Sequence, residues 1–125
     1  MKTISTDKAP RPAGHYSQAV VCGGVVYVAG QLGGDPDRPG GPAGGAAAQT
    51  KQAMANVAAV LAAAGSGLGN ILQSTIYVTD IELWAEVNQA YAEAMGEHRP
   101  ARAIVPIGPL RSGYLVEIQV IAALA

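Results

Sequence analysis

The run from Tyr114 to Leu124 is the feature that most constrains this chain. Leu115, Ile121 and Ala123 alternate with Val116, Ile118, Val120, Ala122 and Leu124, so a strand here is apolar on both faces. Such a strand belongs inside a sheet, with a layer on each side. The chain upstream offers two helical segments interleaved with β-rich runs, in the order β-β-α-β-α-β-β. Five or so strands with two interleaved helices imply one sheet carrying both helices on one face. The opposite face is then expected to be buried against a second subunit, making the chain a symmetric homo-oligomer.

The individual segments carry ordinary signals. Tyr16 to Cys22 and Val25 to Gln31 are β-rich and are separated by Gly23-Gly24, a two-residue hairpin linker. Val25-Val26-Tyr27-Val28-Ala29 is nearly all apolar and reads as buried on both sides. Gly33 to Gly45 holds six glycines and three prolines and reads as a flexible connector. Ala46 to Ala64 is the first helix, with Ala53, Met54, Val57, Val60, Leu61 and Ala64 on one stripe. Gln49, Lys51, Gln52 and Asn56 fall mainly on its other side, and Gly65 supplies the stop. Gln73 to Thr79 is a strand. A second helix spans Glu82 to Met95, with Trp84, Val87, Asn88, Tyr91, Ala94 and Met95 inward and Gly96 as its end. Arg102 to Ile107 and Tyr114 to Leu124 are the closing strands.

Composition narrows the function. The 125 residues make one domain, 1–125, half of it apolar and 14% charged, which excludes disorder through low hydrophobicity. A net charge of −1 without a basic cluster argues against a nucleic-acid partner. One cysteine forms no internal disulfide, the N-terminal residues lack the apolar stretch of a secretory signal, and no run is long enough to span a membrane. A soluble, cytoplasmic protein is expected.

Few residues invite chemistry. Glu117, between Val116 and Ile118, is a carboxylate in a strand that should be central. It is either one half of a structural ion pair or an edge residue facing water, or else a general base in an oligomer cleft. Arg102, opening what should be the adjacent strand, is its natural partner, unless it is a surface arginine beside Arg99. Asn88 on an apolar helix face needs a partner, read as a loop backbone group. Cys22 reads as a small buried residue. His15 and His98 lack metal-ligand spacing, the glycine-rich loop lacks a phosphate-loop ending, and Asp35 and Asp37 lack the rest of a calcium loop. From the residues alone the reading is an oligomeric α/β domain with an Arg–Glu cleft.

Six further pieces, in order along the chain, resemble the RidA/YjgF family of reactive-intermediate deaminases. They are Gly14-His15-Tyr16-Ser17-Gln18-Ala19, Val28-Ala29-Gly30-Gln31, Ala48-Gln49-Thr50 with Asn56-Val57, Thr75-Ile76-Tyr77-Val78-Thr79-Asp80, Val87-Asn88-Gln89-Ala90-Tyr91, and Pro100-Ala101-Arg102 with Val116-Glu117-Ile118. The resemblance implies a chorismate-mutase-like α+β fold and a homotrimer whose sheets form a barrel, with ligand clefts between subunits. It implies hydrolysis of 2-aminoacrylate or 2-iminobutyrate type compounds to the 2-oxo acid and ammonia, without a cofactor. By the same match Arg102 would hold the substrate carboxylate and Glu117 would position or activate water. Tyr16 would line the cleft, and Gly30 and Ile104 would offer backbone groups to the ligand.

An imine is already electrophilic, so alignment on an arginine and a carboxylate beside the attacking water supply the needed help. The chain departs from the family at Ala29, where serine is frequent, at Ile104, where cysteine is frequent, and at His15 and Arg111, where proline is common. His15 would add a titrating group near the cleft. These positions bear on substrate identity, and they keep open a non-enzymatic metabolite-binding or chaperone-like trimer and a hydrolase acting on another small acid. A pericyclic mutase would want several convergent cations. Fold alone does not choose among these activities.

Overall fold

The computed structural model describes residues 1–125 as a six-stranded sheet with two helices. The elements are β1 (Lys2–Ile4), β2 (Ala19–Cys22), β3 (Val25–Leu32), α1 (Ala46–Ala63), β4 (Ile71–Val78), α2 (Trp84–Met95), β5 (Ala101–Pro106) and β6 (Val116–Ala123). Their order across the sheet is β1-β2-β3-β6-β4-β5. Only β4 and β5 pair in parallel; every other neighbour is antiparallel. β6 therefore lies between β3 and β4, which run parallel to each other because each is antiparallel to it. The connections β3-α1-β4 and β4-α2-β5 advance in the same direction across the sheet. Right-handed crossovers of one direction place both helices on one face, as the sequence order implied.

The local rules hold where the chain must turn. Gly23 and Gly24 both have positive φ, +58° and +78°, as a two-residue type I′ hairpin requires. Gly65 (φ +83°) ends α1, with its N–H on the Ala62 carbonyl and that of Ser66 on the Leu61 carbonyl. α2 begins later than its apolar pattern suggested. Asp80 accepts from the Glu82 N–H at 2.9 Å and caps a 3₁₀ turn, Ile81–Leu83, that leads into the helix.

The core lies between the helices and the inner face of the sheet. Ala53, Met54, Val57, Val60 and Leu61 of α1 and Val87 and Tyr91 of α2 pack on Val26, Val28, Ile76, Val78, Val116, Ile118 and Val120. No helix covers the outer face, and there the expectation of burial on both sides of β3 fails within one chain. Val26 and Val28 are buried, but Tyr27 is 49% exposed. Trp84, expected inward, is exposed, and Cys22, expected buried, ends β2 beside the hairpin and is exposed. No helix is long and apolar enough to cross a membrane.

Gln49 and Asn56, assigned from helical period to the solvent side of α1, are buried instead. Asn56 Nδ2 donates to the carbonyls of Leu32 and Gly34 at 3.0 and 2.9 Å. Gln49 Nε2 donates to the Gly44 carbonyl, and its Oε1 accepts from the Leu115 N–H, both at 2.8 Å. The Ala43 N–H also donates to the Gly33 carbonyl at 2.9 Å. The base of the 33–45 connector is thus fastened to the helix, not free. Gly33 is required by this fit, since a Cβ there would fall 2.6 Å from the Gln49 Cβ.

The N-terminal segment is fastened in the same manner by one side chain. Gln18 is buried; its Oε1 accepts from the Thr6 N–H at 2.7 Å, and its Nε2 donates to the carbonyls of Thr6, Ala9 and Pro10 at 2.9 to 3.4 Å. Four main-chain groups depend on it, and stranding partly buried groups costs more than a net hydrogen bond contributes. Gln18→Ala is expected to lower unfolding free energy by about 2 kcal/mol. Urea denaturation checks this, and a change below roughly 0.5 kcal/mol, the scale of an ordinary surface substitution, would sink the assignment.

Candidate active site

β3 and β6 do not pair regularly. Val28 faces Val120 and Gln31 faces Ile118, so Ala29 and Gly30 together stand opposite Gln119. This is a β-bulge, and its effect is specific: two consecutive residues, instead of one, present themselves toward the outer face. Both line a cavity of about 510 Å³ with Ala13, Gly14, Tyr16, Leu32, Arg111 and Glu117.

Glu117 reaches this cavity by strand parity. Val116 and Ile118 are fully buried toward the helices, so Glu117 points the other way, between Leu32 of β3 and Tyr77 of β4. It is half-buried. Its carboxylate lies directly against the bulge. A Cβ on Gly30 would stand 2.9 Å from Cδ and 3.1 Å from Cγ, with Oε2 nearer still. Only glycine leaves room for the carboxylate there. Tyr16, half exposed, covers another side, and its hydroxyl accepts from the Ala13 N–H at 3.2 Å. The Gln18 bonds hold the segment just before Ala13, which brings this wall over Glu117.

Arg102 is elsewhere in the chain. β5 does not neighbour β6; it is the edge strand beyond β4. Arg102 stands in register with Ser74, whose side chain is buried under α2, so Arg102 lies on the helix side while Glu117 lies on the opposite face. The expected Arg102–Glu117 pair within one subunit is therefore not formed. Strand order across the sheet, which residue pattern does not encode, separates them. Ile104 is two residues along the same edge strand, half-buried against the core.

Arg102 is nevertheless carefully held. Its Nη1 donates to Asn88 Oδ1 at 2.7 Å, and its Cζ stands 5.2 Å from the centre of the Tyr91 ring and 5.9 Å from that of Trp84. The Tyr91 hydroxyl is bonded in turn to Ser74 Oγ at 2.8 Å. Asn88 thus serves a guanidinium, not the loop backbone inferred for it. Beside this arginine is a second cavity of about 520 Å³, which also has Met95, His98 and Arg99 in its wall. His98 is engaged with the Ile71 carbonyl at 2.7 Å.

The structure accordingly gathers Tyr16, Gly30 and Glu117 into one cavity and sets Arg102 and Ile104 apart on the free edge. His15 is exposed and does not line the Glu117 cavity, although its neighbours Gly14 and Tyr16 do. Sequence reasoning passed over the positioning role of Gln18 and the bulge at Ala29-Gly30. The glycine within an apolar strand run was the available signal for the bulge.

Comparison with known proteins adds the family. Residues 6–124 match the family model described as Endoribonuclease L-PSP. A 2-iminobutanoate/2-iminopropanoate deaminase of Bos taurus is 40% identical over 121 residues, covering 97% of this chain and 88% of that protein. A RutC family protein of Pyrococcus abyssi is 38% identical, covering 97% and 95%. Among solved structures, the YjgF gene product of E. coli superposes with a TM-score of 0.92 at 36% identity, covering 98% of each chain. This chain belongs to the Endoribonuclease L-PSP family, the group that includes the RidA and YjgF proteins its motifs resemble.

Proposed function

We propose that this protein hydrolyses small 2-imino acids, and the 2-enamino acids that tautomerise to them, giving the 2-oxo acid and ammonia. The observation that carries the reading is the Glu117 carboxylate, laid against Gly30 in a cavity of about 510 Å³. That volume falls within the range of small-molecule sites, which is roughly 300–1,000 Å³. The activity named for the bovine relative supports the same reading.

The chemistry asks for little beyond these groups. Glu117 takes a proton from water as the water oxygen bonds to the imine carbon, the C=N electron pair moves to nitrogen, and the protonated Glu117 returns that proton to nitrogen. The resulting carbinolamine collapses as Glu117 carries the hydroxyl proton to the amine: the C–O bond becomes C=O, the C–N bond breaks, and ammonia leaves. One water is consumed for each ammonia released. General acid–base help of this kind contributes roughly 10²–10⁴-fold. The peptide units of Ala29 and Gly30 form the wall opposite the carboxylate.

The substrate's own carboxylate needs a cation, and we assign it to Arg102 of an adjoining copy. The outer sheet face is uncovered by helices, and Arg102 stands on a free edge strand. A homotrimer that buries the outer faces would set the edge of one copy against the Glu117 cavity of the next. Arg102 comes to that junction already oriented by Asn88, Tyr91 and Trp84.

Glu117→Gln is expected to lower kcat at least about 100-fold on 2-iminobutyrate while a 2-oxo acid still binds. Arg102→Ala is expected to lose binding, seen as a KM raised beyond the accessible range or a calorimetric signal lost; ordinary turnover in this variant would overturn the anchor role. Mixing the two inactive variants tests the shared cleft. In a randomly mixed trimer about a quarter of the clefts would hold both native residues, so activity should return to that level. A site contained in one chain would recover nothing.

A further inference from the structure

Arg111 shares the Glu117 cavity, and nothing in the proposed reaction uses it. It opens the short turn Arg111–Gly113 ahead of β6. The turn is tightly specified. Ser112 (φ +57°) and Gly113 (φ +77°) are both left-handed, and at Ser112 this is a conformation that a non-glycine residue keeps only when its surroundings impose it. The surroundings are visible. The Tyr114 N–H donates to the Arg111 carbonyl at 3.2 Å, and the Leu115 N–H is held by Gln49. The Tyr114 hydroxyl packs so closely on Gly34 that a Cβ there would be 2.7 Å away. The backbone that bears Arg111 is therefore fixed relative to Glu117.

A smaller pocket adjoins the cavity and shares Tyr16, Gly30, Leu32 and Arg111 with it; Arg11 lines this extension too. The combined space is lined by one carboxylate residue, Glu117, and by two exposed arginines, Arg11 and Arg111. The Arg102 guanidinium is tied to Asn88, whereas the exposed Arg111 guanidinium has no hydrogen-bond partner within the chain. A substrate with an uncharged side chain would leave Arg111 idle. One bearing a second carboxylate would meet a planar, bidentate partner.

We propose that Arg111 is a specificity-determining residue and that the preferred substrates are 2-imino dicarboxylic acids, the imines of acidic amino acids. The inference rests on the deaminase reading above: Arg102 of the adjoining copy takes the carboxylate next to the imine, and Arg111 takes the distal one.

The test compares the imine formed in situ from aspartate with that formed from 2-aminobutyrate, each by a flavin amino-acid oxidase. The native protein is set beside Arg111→Leu and Arg111→Lys. The native protein should favour the acidic imine by roughly ten- to a hundredfold in kcat/KM, the scale of one charged hydrogen-bonded contact. Arg111→Leu should collapse that ratio toward one, and Arg111→Lys should keep part of it. Hydrolysis of the uncharged imine without an acidic preference, or a ratio untouched by Arg111→Leu, would overturn this proposal and leave the deaminase reading standing. If neither imine is hydrolysed faster than in buffer, the deaminase reading fails, and calorimetry with succinate and butyrate decides the recognition alone. Succinate binding at least tenfold tighter, and lost in Arg111→Leu, would support it; equal affinities would overturn it.

Discussion

Strand β6 pairs antiparallel with β3 on one side and β4 on the other, and the rest of the structure depends on that double pairing. Without it β3 and β4 would have no common sheet, and the helices that follow them would have no shared surface. The pairing also sends Val116, Ile118, Val120 and Ala122 into the core while Glu117 emerges on the far side. Core and site are thus alternate residues of one strand. β6 is distant in sequence from β3 and β4, so the centre of the sheet closes through non-local contacts. Such non-local pairing slows folding relative to helical proteins of similar size.

Around this frame, three buried amides do work that regular secondary structure cannot. Gln18 holds the N-terminal segment, while Asn56 and Gln49 hold the long connector, and Gln49 also fixes the approach to β6. Each converts irregular backbone into a positioned wall by satisfying groups that water would otherwise have to reach. No buried side-chain nitrogen or oxygen is left without a partner. That completeness is what allows a small core with no phenylalanine to carry so much loop.

Much of this was legible beforehand, because the signals are local. Helical period placed α1 and α2, paired glycines placed the hairpin, and Gly65 and Gly96 marked helix ends. β1 was not legible: Lys2–Ile4 is short and largely polar, and it is a strand because β2 offers it an edge. Gln49 and Asn56 were put on the wrong side because period sorts residues by polarity, whereas a polar residue can face inward when loop carbonyls await it. The site was half legible. Glu117 stood out as a carboxylate in an apolar run, and Arg102 as a strand-opening guanidinium. Their separation was hidden, since it depends on β4 lying between them and on which face each register presents. The family resemblance supplied what spacing could not, a reason to seek both residues in one cleft formed by two copies.

The bulge at Ala29-Gly30 has a consequence for how such a protein can change over generations. Val28 and Gln31 face inward on either side of it, with two residues between them where a regular strand would have one. Losing either of the two would restore regular pairing and leave every inward residue of β3 facing as before. The wall against which Glu117 rests would vanish, and the hydrophobic layer would scarcely register the loss. The architecture therefore keeps its foldability and its candidate site in separable compartments. A single codon removed at this place would leave a well-folded scaffold without the surface on which Glu117 rests.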